Sequence, residues 1–368
     1  MAGTTRALVL GLCLLGAIGA PAAAQSRRGR GKPPADDKKK DAGPSKGTII
    51  TERSEIRDVF VLDESFESIK YAQDERGRRG ARDIKGEEVL EIRYDDTPPE
   101  FLSGQSQLRA GRYERAAESF AEARKAPLGW IEVHATLYVG DAKRMAEDYT
   151  GAIAEYEKLI KAHPKHYLAP AAIYGLGLAQ AKANQLGAAL KTFGELDRGW
   201  GDRWRVKGKI GEGNAYLAKE DFTKSLTAFG IARDNAGNGP LRSEAVVGMG
   251  SAYVLSKQYE KANDLFDDLL RGSTLDPEVA GAAWAGRGDI RYAEAEQEGM
   301  DKNALKKALI AYQTSVTQYA GVPGSYAKSL YMSAKIYRHL GMEKLADYME
   351  QELLDSRPGS PWAKKLKR

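Results

Sequence analysis

The chain has 368 residues, 42% of them hydrophobic and 29% charged, which is a globular composition with a polar surplus. Its net charge of +5 is confined to one stretch. Within residues 25–48, eight basic residues (Arg27, Arg28, Arg30, Lys32, Lys38, Lys39, Lys40, Lys46) face only Asp36, Asp37 and Asp41, and residues 49–368 are close to neutral. The basic balance is therefore no footprint of nucleic-acid binding, and the single cysteine, Cys13, excludes a disulfide framework.

Residues 1–24 read as a secretory signal peptide. Arg6 supplies the positive start, Ala7 to Ala20 is an apolar run too short to span a bilayer, and Ala22 and Ala24 place small residues at −3 and −1 of a cleavage site. Leu12 stands before Cys13 where a lipoprotein signal would want a small residue, so lipidation is not expected. The protein is accordingly expected to be exported, to a periplasm or beyond the cell. Residues 25–47 are rich in Lys, Arg, Pro, Gly and Asp without apolar periodicity and read as a disordered basic linker. The linker is a solvated spacer first, and a weak contact with anionic membrane or cell wall second.

Residues 48–96 are the one stretch that reads as β. Asp58 to Leu62 and Phe66 to Tyr71 are short apolar or alternating runs, and Leu90, Ile92 and Tyr94 alternate. Gly77 to Gly80 makes a turn. Three or four strands in so short a segment predict a small antiparallel sheet or partly open barrel with too little core to stand alone, docked on the segment C-terminal to it.

From Pro98-Pro99 onward a glycine recurs: Gly104, Gly140, Gly177, Gly213, Gly250 and Gly288, with gaps of 36 to 38 residues. Twelve residues after each of the first five comes a small residue (Ala116, Ala152, Ala189, Ser225, Ala262), and four later an aromatic (Phe120, Tyr156, Phe193, Phe229, Phe266). Ala334 and Ala346 close the series. Each copy holds two helical periodicities, as in Val246, Val247, Met249, Gly250, Tyr253 and then Tyr259, Ala262, Phe266, Leu269. The fixed period predicts a mostly α solenoid of paired antiparallel helices, whose small residues let the pairs approach while the aromatic fills the wedge. Seven repeats are expected at about 97–130, 131–167, 168–203, 204–240, 241–276, 277–321 and 324–357, with residues 358–368 as a cap or tail around Trp362. In repeat six, 20 residues rather than 12 separate Gly288 from Ala308, which predicts a longer first helix and a protruding turn.

These positions resemble the tetratricopeptide repeat (TPR) family, with Tyr113, Tyr149, Phe222 and Tyr259 at its second-helix aromatic. The likeness covers about residues 97–357, departing in its longer period. The junctions Pro323-Gly-Ser-Tyr-Ala327 and Pro358-Gly-Ser-Pro-Trp-Ala363 look like those of bacterial envelope TPR proteins of the Tol–Pal-associated and outer-membrane-assembly type. The resemblance implies a right-handed superhelix that binds a protein or peptide partner along first helices. By that resemblance the groove takes in His134, Asp141 and Arg144 in repeat two and Tyr174 and Lys182 in repeat three. Lys207, Asn214, Glu244 and Ser251 come next in repeats four and five, then Asp289, Tyr292, Tyr331, Lys335 and Arg338.

Chemistry beyond binding has weak support. Pairs of the form Gly-x-Gly (Gly175/Gly177, Gly211/Gly213, Gly248/Gly250, Gly286/Gly288) sit mid-helix with the fold's period, so they read as packing rather than phosphate loops. His163-x-x-His166 is interrupted by Pro164, no carboxylate or cysteine completes a set, and His134 and His339 stand isolated. No cofactor, metal or catalytic centre is expected. The expectation is a non-catalytic exported scaffold of envelope assembly. The alternative is a cell-wall or glycan binder using the β module, the basic linker and the tryptophans, with Trp200 and Trp204 as a stacking pair.

Overall fold

The computed structural model describes residues 43–272, 276–320 and 323–366, so the expected signal peptide and the expected linker up to residue 42 lie outside the described residues. The sheet has five strands rather than three or four: β1 (Lys46–Thr51), β2 (Glu55–Glu64), β3 (Ile69–Ala72), β4 (Arg82–Ile84) and β5 (Val89–Tyr94). Their order is β4-β3-β2-β1-β5, with every neighbouring pair antiparallel. The two unforeseen strands carry little periodic signal. β1 rises out of the charged linker, and β4 is three residues long and mostly exposed. One face of the sheet, with Ile49, Val59, Val61, Ile69, Val89, Ile92 and Tyr94, shares a continuous core with Phe101, Leu108, Ile131 and Ala135 of the first helices and with Tyr167 of a junction between helices. A sheet of this size gains its burial by docking.

Among the described residues, seven helix pairs come after the sheet. They are α1 (Pro99–Arg109) with α2 (Tyr113–Ala123), α3 (Ile131–Met145) with α4 (Tyr149–Ala162), and α5 (Ala169–Lys182) with α6 (Leu186–Gly194). Then come α7 (Gly201–Ala218) with α8 (Phe222–Asn235), and α9 (Pro240–Leu255) with α10 (Tyr259–Leu270). The last two pairs are α11 (Pro277–Gln297) with α12 (Lys302–Gln318) and α13 (Pro323–His339) with α14 (Glu343–Ser356), after which α15 (Pro361–Leu366) ends the described chain. From the second pair on, successive first helices pack on one another: α3 on α5, α5 on α7, α7 on α9, α9 on α11 and α11 on α13. The second helices instead pack between first helices, so the first helices form the inner layer of the solenoid.

The glycine period is a series of slots for rings. A Cβ on Gly213 would fall 2.7 Å from the Phe229 ring, and one on Gly248 in the next repeat 2.3 Å from the same ring. Phe229 is therefore gripped from both sides, with no exposure. The same holds for Tyr156 between Gly140 and Gly175, Phe193 between Gly177 and Gly211, and Phe266 between Gly250 and Gly286. At the ends the second wall changes: Tyr138 stacks on Phe120 at 5.0 Å, and Met332 joins the cluster around Tyr312. The Gly-x-Gly pairs lie inside α5, α7, α9 and α11, where each glycine receives a different ring.

Between the helices of each pair the chain turns through a left-handed residue: Gly111, Glu147, Asn184, Glu220, Lys257, Met300 and Gly341 all have φ between 59° and 73°, and in the sixth pair Gly299 (φ 69°) precedes Met300 in the same conformation. Five of these carry a side chain, against the steric preference of L-residues, so the tertiary packing of the pair enforces the turn. Asp148 and Asp221, next after two of them, cap α4 and α8 by accepting from Gly151 N and Lys224 N. Repeat six absorbs its eight extra residues in both helices. α11 runs 21 residues and α12 runs 17, and Tyr312 still reaches Gly288.

The end of the chain returns to its start. Lys364 Nζ lies 3.1 Å from Glu147 Oε2, and Gly359 packs against the Tyr113 ring and the Gly111 carbonyl. Trp362 meets Tyr331 at 5.2 Å over the last pair. Among the described residues no helix is long and apolar enough to cross a membrane.

Candidate binding face

The buried polar centre of the molecule joins the sheet to repeats two and three. Glu64, at the end of β2, receives His134 of α3 (Nε2 to Oε2, 2.7 Å) and His166 of the junction after α4 (3.3 Å). The backbone completes the joint: Tyr167 N donates to Glu64 O, and Phe66 N donates to Lys165 O. Burial works to raise the Glu64 carboxyl, but the two imidazoles outweigh it and hold its pKa far below the ordinary carboxylate range. Burial lowers His166, against the pull of Glu64.

Three ligand-type atoms within 4.8 Å of one another invite a metal. The donor set points elsewhere. His166 Nδ1 accepts from Leu168 N at 3.1 Å, so its Nε2 carries the proton and points it at Glu64. A metal-ligating imidazole donates its second nitrogen outward and keeps the first unprotonated. The cluster is a hydrogen-bonded clamp, and His163 stands outside it. His134, expected in the groove, is thus buried under the sheet, and it is not isolated. Spacing along the chain could not reveal the cluster, because its members come from three distant segments.

Three other expected groove residues, Asp141, Arg144 and Asp289, serve the ring slots. Tyr156 donates its hydroxyl to Asp141 Oδ1 at 2.7 Å, with Arg144 against both, and Tyr312 donates to Asp289 Oδ1 at 2.8 Å. Lys328 also pairs with Asp289. The rule is visible in the sequence afterwards. Where the slot holds tyrosine, the residue after the glycine is Asp141 or Asp289; where it holds phenylalanine, that residue is Gln105, Leu178, Asn214 or Ser251.

The remaining expected residues spread along the first helices. Tyr174, Lys207, Asn214, Ser251 and Tyr331 are half-buried, Lys182 and Lys335 are exposed, and Glu244 and Tyr292 are buried. Arg338 is exposed but turns to its own pair, bonded to Glu343, Asp347 and Glu350 at the edge of α14. Cations here lie over rings: Lys207 Nζ over Trp204 (4.8 Å) and Tyr174 (5.5 Å), and Lys335 Nζ over Tyr292 (4.8 Å). Burial lowers Lys207 to about 8 and raises Glu244 to about 7, each in the other's field. Burial also brings Glu278 up to about 7. Glu278 and Lys328 belong to this chemistry and were not among the expected groove residues, although Lys328 precedes Ala334 by the same six residues as Lys207 precedes Gly213. Trp204, expected to stack beside Trp200, lies under the Lys207 ammonium. Trp200 is no free platform. It meets Phe66 edge-on at 4.9 Å and helps dock the sheet.

The tetratricopeptide repeat family model matches residues 101–166, 140–203 and 210–278. These segments hold the first five helix pairs, and over them the chain is built of tetratricopeptide repeats. No curated protein matches the sequence. Among solved structures, the chain is similar to a tetratricopeptide repeat protein from Parabacteroides merdae, at 14% identity and TM-score 0.47 over 73% of this chain and 98% of that one. It is also similar to a Rap protein complexed with competence and sporulation factor (12%, TM-score 0.48, covering 73% and 74%). A third is the apo quorum sensor NprR from B. thuringiensis (14%, TM-score 0.43, covering 73% and 79%).

Proposed function

We propose that this protein is an exported, non-catalytic scaffold that binds an extended segment of a protein partner along its inner face, within cell-envelope assembly. The observation that carries the binding reading is the inner layer itself. Successive first helices present half-buried Tyr174, Lys207, Asn214, Ser251 and Tyr331 on a rigid frame. Stiff aromatics with cations held above them give contact area and charge at low entropic loss, which suits a peptide. Export rests on Arg6, the Ala7 to Ala20 run and Ala22 to Ala24; the envelope setting rests on the two Pro-Gly-Ser junctions. The glycan alternative loses its stacking pair, since Trp200 is engaged with Phe66.

Capture from the native cell tests the reading. Asn214→Arg with Ser251→Arg places two long side chains on the inner layer, at half-buried positions in neighbouring repeats. The double variant is expected to lose at least tenfold of a specific protein that the wild-type chain retains, with its melting curve preserved. Equal capture by both forms would remove the inner face from the account. Fractionation with mass spectrometry checks export: a chain beginning at Gln25 outside the cytoplasm is expected, and an intact Met1 form inside it contradicts export.

A further inference from the structure

We infer that Glu244 is the seat of a cationic group of the bound peptide, either a lysine or arginine side chain or an amino terminus. This inference rests on the inner-face reading and adds the chemistry of its centre. Glu244 stands on α9, the first helix of repeat five, and is 8% exposed. Its Oε2 is shielded from solvent and has no hydrogen-bond partner. Folded proteins rarely leave a buried carboxylate oxygen in that condition, because desolvation is then uncompensated.

The neighbouring acids show the contrast. Asp141 holds the Tyr156 hydroxyl and Arg144, and Asp289 holds the Tyr312 hydroxyl and Lys328. Lys207 is the cation whose field reaches Glu244, yet its ammonium lies over the Trp204 and Tyr174 rings, and no salt bridge joins it to Glu244. Glu278 of α11 lies in the same field. Glu244 thus has the like charge of Glu278 beside it and only a share of the Lys207 ammonium, which also answers to Asp141 and is opposed by Arg203, so its carboxylate lacks a cation of its own. A second cation neutralises it and gives Oε2 the donor it lacks. A neutral donor would satisfy the oxygen and leave the charge; an anion would meet two carboxylates. Ammonium and guanidinium groups do both tasks at once.

The test uses the full chain against an immobilised library of random 12-residue peptides in three matched sets. One set is unmodified, one carries norleucine for lysine and citrulline for arginine, and one has acetylated amino termini. Wild type is expected to retain a cation-bearing set at least tenfold over its neutralised counterpart. The set whose modification abolishes retention identifies the source as side chain or terminus. Glu244→Gln is expected to erase the preference while still retaining peptides, and Lys207→Met, which removes the competing ammonium, to sharpen it. Equal retention of all three sets by wild type would overturn the inference and leave the inner-face reading standing. So would an undiminished preference in a Glu244→Gln variant whose melting curve matches wild type. Retention of no peptide by the wild-type chain would overturn both.

Discussion

Phe229→Ala is expected to lower the stability of the solenoid by about 3–5 kcal/mol, the range for emptying a fully buried aromatic site. The ring has no exposure and is gripped between Gly213 of its own repeat and Gly248 of the next. Neither wall can collapse inward, because both are helix backbone held by their own neighbours. The converse change, Gly248→Ala, puts a methyl group 2.3 Å from the ring and is expected to cost about 1–3 kcal/mol by overpacking. Both act at an interface between repeats, and solenoid stability is carried by such nearest-neighbour interfaces. Urea unfolding followed by circular dichroism should therefore show a lower midpoint and a broader transition for Phe229→Ala. A loss under about 1 kcal/mol would show that the slot is not what holds neighbouring repeats together.

Glu64→Ala is expected to release the sheet. The substitution strips two buried imidazoles of their common acceptor, and breaking a buried, hydrogen-bonded charge cluster costs about 3–5 kcal/mol. The loss should be local. Trypsin is expected to cut within residues 43–96 of the variant at least tenfold faster than in wild type, while the helical signal persists. Acid should imitate the mutation. Glu64 has a folded pKa far below its ordinary value of 4.5, so its stabilisation is complete above pH 4.5 and fades as pH falls below it. His166 has a lowered folded pKa, so the unfolded chain takes up its proton first and stability declines as pH falls through 6.5. Glu244 and Glu278, both raised to about 7, work in the opposite sense: their contribution is lost as pH rises from 4.5 to 7. Fluorescence of Trp130 and Trp200, which pack on Tyr94 and Phe66 of the sheet segment, separates the sheet's response from that of the repeats. Unchanged proteolysis of Glu64→Ala would assign the docking to the apolar core alone.

The repeats were legible because their signal is steric and local. Gly213, Ser225 and Phe229 recur in the sequence since one backbone approach and one ring recur in space, and Ser225 Oγ even donates to the Gly213 carbonyl. The turns were less legible. Glu147, Glu220 and Lys257 take left-handed backbone that their side chains disfavour, so residue type gave no warning. The short strands β1 and β4 were missed because a three-residue or charge-flanked segment has no period to read. Within the candidate site, resemblance correctly put first helices inside, but it could not tell a free acid from an engaged one. Asp141 and Glu244 look alike in sequence. Only the structure puts a tyrosine hydroxyl on the first and no partner on the second.

Site-specific photo-crosslinking in the native cell would address the central claim most directly. A photoreactive residue at Tyr174 or Ser251 probes the inner layer, while Ile310 and Tyr348, both strongly exposed on second helices, probe the outer one. The account predicts one discrete protein adduct from the two inner positions and none from the outer pair. Adducts formed only at Ile310 and Tyr348 would contradict it, because they would place the partner on the opposite layer of the solenoid.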